Sequence, residues 1–190
     1  MATEPTTART VLPGAPPFSV DDLLKFPDDG NRYELFNGSL LVSPAPNSLH
    51  QLAATLITDI LLRAAPPDLI PLATINLRVS DTDYYIPDLA VVPRELARAG
   101  QLEFSPQHVR LAVELVSPST KTRDRATKLE AYGAAGIPVY WRVELDEGPA
   151  LYAYEFDGDS YGRAAVHKAG RSASLWAPYP VTFDPADLIA

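Results

Sequence analysis

Two acidic residues interrupt apolar segments of the sequence, where a carboxylate is costly. Asp88 lies in the segment IPDLAVV and Glu114 in the segment LAVELV, and both segments read as β-strands. A carboxylate inside an apolar strand loses its hydration, so it needs a hydrogen-bonding partner, a cation or a metal ion. Alternatively, each acid points to solvent from a half-exposed strand, which is the simpler explanation for one acid alone. For two acids on neighbouring predicted strands, both interpretations stay open.

A pair of carboxylates of this kind suits Mg²⁺ or Mn²⁺. Mg²⁺ takes oxygen ligands, keeps several waters and is commonly held by one or two carboxylates together with substrate phosphates. Such an ion activates water and neutralises charge on a phosphate that undergoes displacement. If Asp88 and Glu114 meet at one site, they therefore predict a metal-dependent phosphodiesterase.

The sequence around the two acids resembles a known signature. Pro87-Asp88, followed by Glu114 on a later strand, is similar to the PD-(D/E)XK nuclease signature, which is short and by itself unspecific. A wider set of motifs over roughly residues 18–160 resembles the Uma-two family of bacterial restriction-endonuclease-like proteins. These motifs are Tyr33-Glu34-Leu35, Gly38, Pro44, His50, Pro87-Asp88, residues 113–120 (VELVSPST), Asp124, Lys128, Tyr132, Gly136, Pro138 and Tyr140-Trp141.

The resemblance carries expectations for fold, cofactor and partner. It implies a restriction-endonuclease-like fold, that is, an α/β (α+β) domain with a mixed central β-sheet flanked by helices. It implies a divalent metal ion, Mg²⁺ or Mn²⁺, at Asp88 and Glu114, with the backbone carbonyl of Leu115 as a further ligand. DNA is the implied partner and substrate.

One position departs from the superfamily pattern. That pattern places a lysine two residues after the second acid, and here the position holds Val116. The family's own pattern offers Lys128 instead, on the helix predicted to follow the Glu114 strand, with Asp124 one turn earlier on the same face. A lysine there could reach back to orient the attacking water or to stabilise charge on the phosphate. Alternatively, Asp124 and Lys128 form an ordinary surface pair, worth roughly a few tenths of a kcal/mol.

Glu34 and His50 complete the candidate catalytic residues. Glu34 shares a strand face with Arg32, so it is either a third acid at the metal or the partner of that arginine. His50 lies at the start of a predicted helix, off its apolar stripe, and is either a base or phosphate ligand, or a surface histidine. Ser117 is not interpreted as a nucleophile, because no histidine is near it in sequence and Ser-Pro-Ser-Thr better explains a turn and a helix cap.

Turn signals and periodicity predict the elements that position these residues. Ser19 and Asp22 predict the N-terminus of a short helix that ends near Pro27. Asn37-Gly38 between two β-rich runs predicts a hairpin over residues 32–42, because both residues tolerate positive φ. A helix is predicted over residues 48–63, with the apolar stripe Leu49, Leu52, Ala53, Leu56, Ile60 and Leu61.

The rest of the chain predicts strands and one further helix. Strands are expected at 75–79, 84–92, 109–116 and 139–145, with 109–116 central because it is almost continuously apolar. Pro87 marks an irregularity within the strand over 84–92. A helix is expected over 120–135, ended by Gly136 and Pro138. Residues 150–156 and 160–166 predict a hairpin. Packing roles are assigned to Gln51, Tyr132 and Trp141, and the C-terminal segment is expected to lie across the body through Trp176, Tyr179 and Phe183.

Composition restricts the class of protein. The 190-residue chain has no cysteine, which excludes disulfides and thiolate nucleophiles and fits a cytoplasmic protein. No apolar run approaches the roughly 20 residues that span a membrane.

The net charge of −8 argues against broad, non-specific binding of nucleic acid. Residues 119–128 are locally basic, either as a binding surface or, more simply, as a solvated helix face. Residues 1–17 predict a flexible leader before a single domain, 18–190.

Three functions are compatible with these residues. The first is a metal-dependent endonuclease that hydrolyses DNA phosphodiester bonds, with Asp88 and Glu114 as ligands and Lys128 assisting. The second is a catalytically inactive module of the same fold that binds nucleic acid or regulates, which Val116 and the acidic net charge favour. The third is a structural domain whose buried acids only make hydrogen bonds. For the endonuclease, cutting both strands of a duplex is simplest with two sites, which predicts a homo-oligomer, a dimer or higher.

Overall fold

The structure, a computed structural model, describes residues 13–43, 45–116, 123–146 and 148–190, with the backbone alone for 123–126. Ser117 and the side chain of Asp124 therefore lie outside the described residues. So do the basic side chains that precede Lys128 in the segment 119–128. The division into a leader and a single domain stays a prediction.

A six-stranded mixed sheet forms the centre of the fold. Its strands are β3 (Leu69–Ala73), β6 (Leu89–Pro93), β8 (Leu111–Val116), β9 (Val139–Glu144), β10 (Ala150–Glu155) and β11 (Ala165–Lys168). They lie in the order β11-β10-β9-β8-β6-β3, and β8 and β9 are the parallel pair among antiparallel neighbours. The predicted central strand is confirmed, since β8 lies between β6 and β9.

A five-stranded sheet carries the predicted hairpin. Its strands are β1 (Arg32–Phe36), β2 (Ser39–Ser43), β4 (Asn76–Arg78), β5 (Tyr84–Tyr85) and β7 (Glu103–Phe104), in the order β2-β1-β5-β4-β7. The hairpin is confirmed, with Phe36 opposite Ser39 and positive φ angles of 48° at Asn37 and 72° at Gly38. This sheet brings the β1 strand next to the segment that leads into β6.

Successive side chains of β8 enter two apolar clusters on opposite faces of the six-stranded sheet, and a helix contributes to each cluster. Leu111, Val113 and Leu115 pack in one cluster with residues of α2 (Ser48–Ala64). Ala112 packs in the other with Tyr132 of α4 (Arg123–Ala134). The strand that carries Glu114 is therefore covered on both faces, which explains its almost continuous apolar sequence.

The remaining elements are short. They are α1 (Val20–Leu23), α3 (Arg94–Arg98), the 3₁₀ helices Pro106–His108 and Pro185–Ile189, and the two-stranded sheet of β12 (Ala173–Leu175) and β13 (Val181–Phe183). The predicted N-terminus of α1 is confirmed, since Ser19 and Asp22 exchange hydrogen bonds there.

Mixed sheets flanked by helices confirm the predicted α+β fold class. None of the described helices has both the length and the apolar character needed to cross a membrane.

The single strand predicted over residues 84–92 is wrong. The segment divides into β5, in the five-stranded sheet, and β6, in the six-stranded sheet. Pro87 lies at the division, because a proline has no N–H to donate to a strand partner. The division leaves Asp88 outside both strands, at the point where the chain passes from one sheet to the other.

The predicted buried face of α2 is rotated from the observed one. Leu49 and Leu52 are 43% and 40% exposed, whereas Ala53, Ile57 and Leu61 are fully buried. These three residues continue an i, i+3, i+7, i+11 series that begins at position 50, so His50 lies at the start of the buried face. Ala53 and Leu61 belong to the predicted stripe and are confirmed as buried. The histidine was placed off that stripe because the stripe was centred on the exposed leucines instead.

The later elements agree with the sequence in part. Trp141 is fully buried, as predicted, and Tyr179 and Phe183 join the core, but Trp176 is 77% exposed. The predicted hairpin forms between β10 and β11, although its second strand begins at Ala165. The strand β3 was not predicted.

Gly38 offers a test of the hairpin. A Cβ at this position would lie 2.7 Å from Cβ of Pro17, and φ is +72°. We expect Gly38→Ala to destabilise the fold by about 2–4 kcal/mol in urea denaturation, from the strained backbone plus the clash. Gly30→Ala is the matched control, because φ is +82° there and no atom lies within 4 Å of the added Cβ. Equal losses in the two variants would show that the contact with Pro17 costs nothing.

Candidate active site

Buried charge is concentrated at one place in the described chain. The buried charged side chains are Glu34, Asp88 and Lys128, which are 3%, 7% and 5% exposed. They come from β1, from the segment before β6 and from α4. Glu114 of β8 joins them, with a side chain that is 13% exposed. Because a buried charge is costly without a partner, the geometry of these four groups decides whether they form a site.

Lys128 links two of the carboxylates. Its ammonium donates to Glu34 Oε1 at 2.5 Å and to Glu114 Oε1 at 3.0 Å. Glu34 Oε1 also accepts from the backbone N–H of Ile86 at 2.8 Å, which ties β1 to the segment before β6. Burial would lower the pKa of Lys128, but the carboxylates of Glu114 and Glu34 raise it above its ordinary value. Lys128 is therefore an ammonium ion, a donor and not a base.

Asp88 is held by three donors. Its Oδ1 accepts from Arg32 Nη1 at 2.7 Å, and its Oδ2 accepts from the backbone N–H of Leu115 at 2.9 Å. His50 Nε2 lies 3.0 Å from Oδ2. Burial would raise the pKa of Asp88, but the hydrogen bonds from His50, Leu115 and Arg32 hold it below its ordinary value. Because Asp88 is a carboxylate, His50 Nε2 carries the hydrogen and donates it.

Glu114 has the opposite electrostatics. Burial, together with the negative charges of Asp88 and Glu34, raises its pKa to about 8, although Lys128 and Tyr132 favour its ionised form. The Tyr132 hydroxyl donates to Glu114 Oε1 at 2.5 Å. Two carboxyl groups in one site thus have pKa values shifted in opposite directions, a feature common at functional sites.

The sequence model of one protein family matches almost the whole chain. It is the Uma2 (Uma-two) family, described as "Putative restriction endonuclease", and it matches residues 20–184. The chain belongs to the Uma2 family. The predicted resemblance is therefore confirmed, and membership supports a nuclease role.

A solved structure shares the Uma2 chain's fold. It is the crystal structure of a "putative nuclease belonging to DUF820" from Anabaena variabilis ATCC 29413, with a TM-score of 0.71 and 17% identity. The match covers 90% of this chain and 97% of the other. At this identity the likeness shows the fold alone. A search of curated proteins finds no match.

The predicted site residues of the Uma2 chain come together. They form two hydrogen-bonded sets beside β8. Lys128 joins Glu34 and Glu114 in one set, and Asp88 binds His50 and the amide of Leu115, the residue after Glu114, in the other. The suggested pair of Glu34 with Arg32 is not formed. Each instead binds a different partner, Lys128 for the glutamate and Asp88 for the arginine.

Two residues of the site were not predicted. Arg32 was considered only as a partner of Glu34, and Tyr132 only as a packing residue. Tyr132 does pack, since it is fully buried, but its hydroxyl also binds Glu114. The available signal was its i, i+4 spacing from Lys128, which places both side chains on one helix face.

The described residues contain no group of three or more acidic, histidine or cysteine side chains already arranged to hold a metal ion. The reason is visible in the contacts. Lys128 holds Glu34 and Glu114, and Arg32 holds Asp88. The donors themselves are carboxylate oxygens, the kind that Mg²⁺ and Mn²⁺ prefer. The donor set thus fits such an ion chemically once Arg32 gives way at Asp88.

Proposed function

We propose that this Uma2 protein is a metal-dependent endonuclease that hydrolyses DNA phosphodiester bonds, with Mg²⁺ or Mn²⁺ as its ion. One observation carries the proposal: three carboxyl groups of the described chain converge beside β8, two of them on the Lys128 ammonium and the third, Asp88, on Arg32. Restriction-endonuclease-like families generally use divalent metals. A homo-oligomer remains part of the proposal, because cutting both strands of a duplex is simplest with two sites.

Asp88, Glu114 and the backbone carbonyl of Leu115 are the proposed metal ligands. The β6–β8 pairing reaches only as far as Leu89 opposite Val113. Leu115 therefore lies beyond the last paired residue of β6, and its N–H donates to the Asp88 side chain instead. A backbone carbonyl at this end of β8 would supply a third oxygen of the kind that Mg²⁺ takes. When bound, the ion supplies a polarised phosphate and an acidified water.

Lys128 takes the place of the lysine that the superfamily pattern puts at position 116. Val116 is 7% exposed, whereas the Lys128 ammonium reaches Glu114 from α4 at 3.0 Å. A fixed ammonium beside the scissile phosphate stabilises the negative charge that develops there and orients the attacking water. Its raised pKa keeps the proton on Lys128 at neutral pH.

Glu34 and His50 position the other groups. Glu34 holds Lys128 and the Ile86 amide, so it fixes the ammonium relative to the Asp88 segment. His50 holds Asp88 through Nε2. Its Nδ1 is buried without a hydrogen-bond partner in the described structure. These contacts support a positioning role for His50 and leave no contact that favours a general base.

The alternative is an inactive module of the same fold that binds nucleic acid or regulates. The acidic net charge of −8 still favours it. The lack of lysine at position 116 no longer does, since Lys128 brings an ammonium to the same acid.

Plasmid cleavage tests the proposal. Supercoiled DNA is incubated with the wild-type protein and Mg²⁺ or Mn²⁺, with EDTA as the metal-free control and Glu114→Gln as the site variant. We expect nicking or linearisation that requires the metal and falls by about a hundredfold or more in Glu114→Gln. Glu95→Gln is the matched control, because Glu95 is an exposed glutamate on α3 and its variant should cleave as wild type does.

The outcomes separate the two functions. Cleavage that survives EDTA or the Glu114→Gln change would place the activity elsewhere or in a contaminant. No cleavage by folded protein over a range of metals and DNA sequences, with retained DNA binding, would favour the inactive module.

A further inference from the structure

Asp88 presents its two oxygens to different kinds of donor. Oδ2 accepts from a backbone amide, that of Leu115, and from His50 at the start of α2. Oδ1 accepts from Arg32 alone among the described residues, at 2.7 Å. A metal ion that binds Asp88 through Oδ1 therefore competes with the Arg32 guanidinium for that oxygen.

Arg32 is free to leave that position. Its side chain is 26% exposed, compared with 6% for Lys128, and Asp88 is its one hydrogen-bond partner in the described part of the chain. Lys128, by contrast, is buried between two carboxylates. Of the two cations at the site, Arg32 is thus the one that can move towards solvent, because an ion bound at Asp88 would replace its charge there.

A displaced Arg32 would not go far. Its backbone is fixed in β1 opposite Ser43, two residues from Glu34. The guanidinium would remain beside the metal site. The negatively charged group that it could bind there is a phosphate of the substrate. A planar guanidinium binds phosphate oxygens through two parallel N–H donors, which makes arginine suited to that exchange.

We propose that Arg32 is an exchange residue: it neutralises Asp88 in the metal-free protein, yields Asp88 Oδ1 to the ion, and then binds a phosphate of the nucleic acid. This rests on the proposed function, since it takes Asp88 as a metal ligand. Arg32 is then both a competitor of the metal ion and a substrate-binding residue. Replacing Arg32 should therefore strengthen the binding of the metal ion and weaken the binding of the nucleic acid.

Two binding measurements on Arg32→Gln test the exchange. Mn²⁺ binding is measured by electron paramagnetic resonance without DNA, and binding of a labelled DNA duplex is measured by fluorescence anisotropy in Ca²⁺. We expect Mn²⁺ to bind about tenfold more tightly and DNA about tenfold more weakly than in wild type, because one charge-assisted contact is removed from each equilibrium. Arg78→Gln is the matched control, with the same charge change at a similarly exposed arginine that pairs with Asp81, and should leave Mn²⁺ affinity unchanged.

The possible results are distinct. Mn²⁺ affinity that is unchanged or weaker in Arg32→Gln overturns the competition, and unchanged DNA affinity overturns the phosphate contact. If wild type binds no Mn²⁺, the proposed function fails and the exchange fails with it. Should Arg32→Gln not fold, Arg32→Lys provides the test. The lysine ammonium still opposes the metal ion but lacks the two parallel donors of the guanidinium, so DNA binding should weaken while Mn²⁺ affinity stays near the wild-type value. Unchanged DNA binding in Arg32→Lys would contradict the proposal.

Discussion

Replacing Lys128 by methionine is expected to abolish DNA cleavage and to destabilise the fold by about 3–5 kcal/mol. The methionine fills most of the volume of the lysine, so the loss is chiefly electrostatic. Without the ammonium, Glu34 and Glu114 lose the cation between them, and each keeps one donor, the Ile86 amide for Glu34 and the Tyr132 hydroxyl for Glu114. Urea denaturation measures the free energy of unfolding, and the plasmid assay measures the activity.

Lys25→Met is the matched control for this change. Lys25 also forms an ion pair, with Asp22 at 3.7 Å, but its side chain is 64% exposed. An exposed pair is worth about 1 kcal/mol or less, so this variant should unfold almost as wild type does. A loss in Lys128→Met no larger than that of Lys25→Met would show that the buried ammonium contributes little to the fold.

A double variant separates stability from catalysis. Adding Glu34→Gln to Lys128→Met removes the buried negative charge that the first change leaves without a cation, so part of the lost stability should return. Activity should not return, because no positive charge is restored beside Glu114. Recovery of cleavage in the double variant would contradict a catalytic role for Lys128.

The sequence predicted the acidic residues of the site for a physical reason. Asp88 and Glu114 each interrupt an apolar segment, and an interruption of that kind is visible without any structure. The contacts that organise the site were not visible, because they join distant parts of the chain. Lys128 and Glu34 are 94 residues apart, and Arg32 and Asp88 are 56 apart.

Local periodicity was less informative where a segment changes partners. The run from Tyr84 to Val92 has the composition of one strand, and the pattern is the same whether the strand continues or passes to another sheet. Pro87 marked the irregularity but not its consequence. On α2, enough apolar residues lie around the helix to define two apolar stripes. Only the packing of the helix against the sheet decides which stripe is buried, and it is the one that starts at His50.

Between pH 5 and pH 8 the wild-type protein is expected to lose stability as the pH rises, by a few kcal/mol. In the folded protein the pKa of Glu114 is about 8, raised from an ordinary value of 4.5, chiefly by burial. The folded state therefore keeps a proton that the unfolded chain releases above about pH 4.5. The stabilisation is complete below that pH and is lost as the pH rises through 8. Asp88 does not contribute in this window, because its pKa lies below the ordinary 3.8.

Glu114→Gln isolates this effect. A glutamine at position 114 does not titrate, so the slope of unfolding free energy against pH between 5 and 8 should be smaller than in wild type by the contribution of this one group. Urea denaturation of both proteins at half-unit steps of pH, without metal, measures the difference. Identical slopes would mean that Glu114 is already ionised in the folded protein at pH 5. In that case Lys128 and Tyr132 would outweigh burial, and Glu114 would need to release no proton before taking up a metal ion.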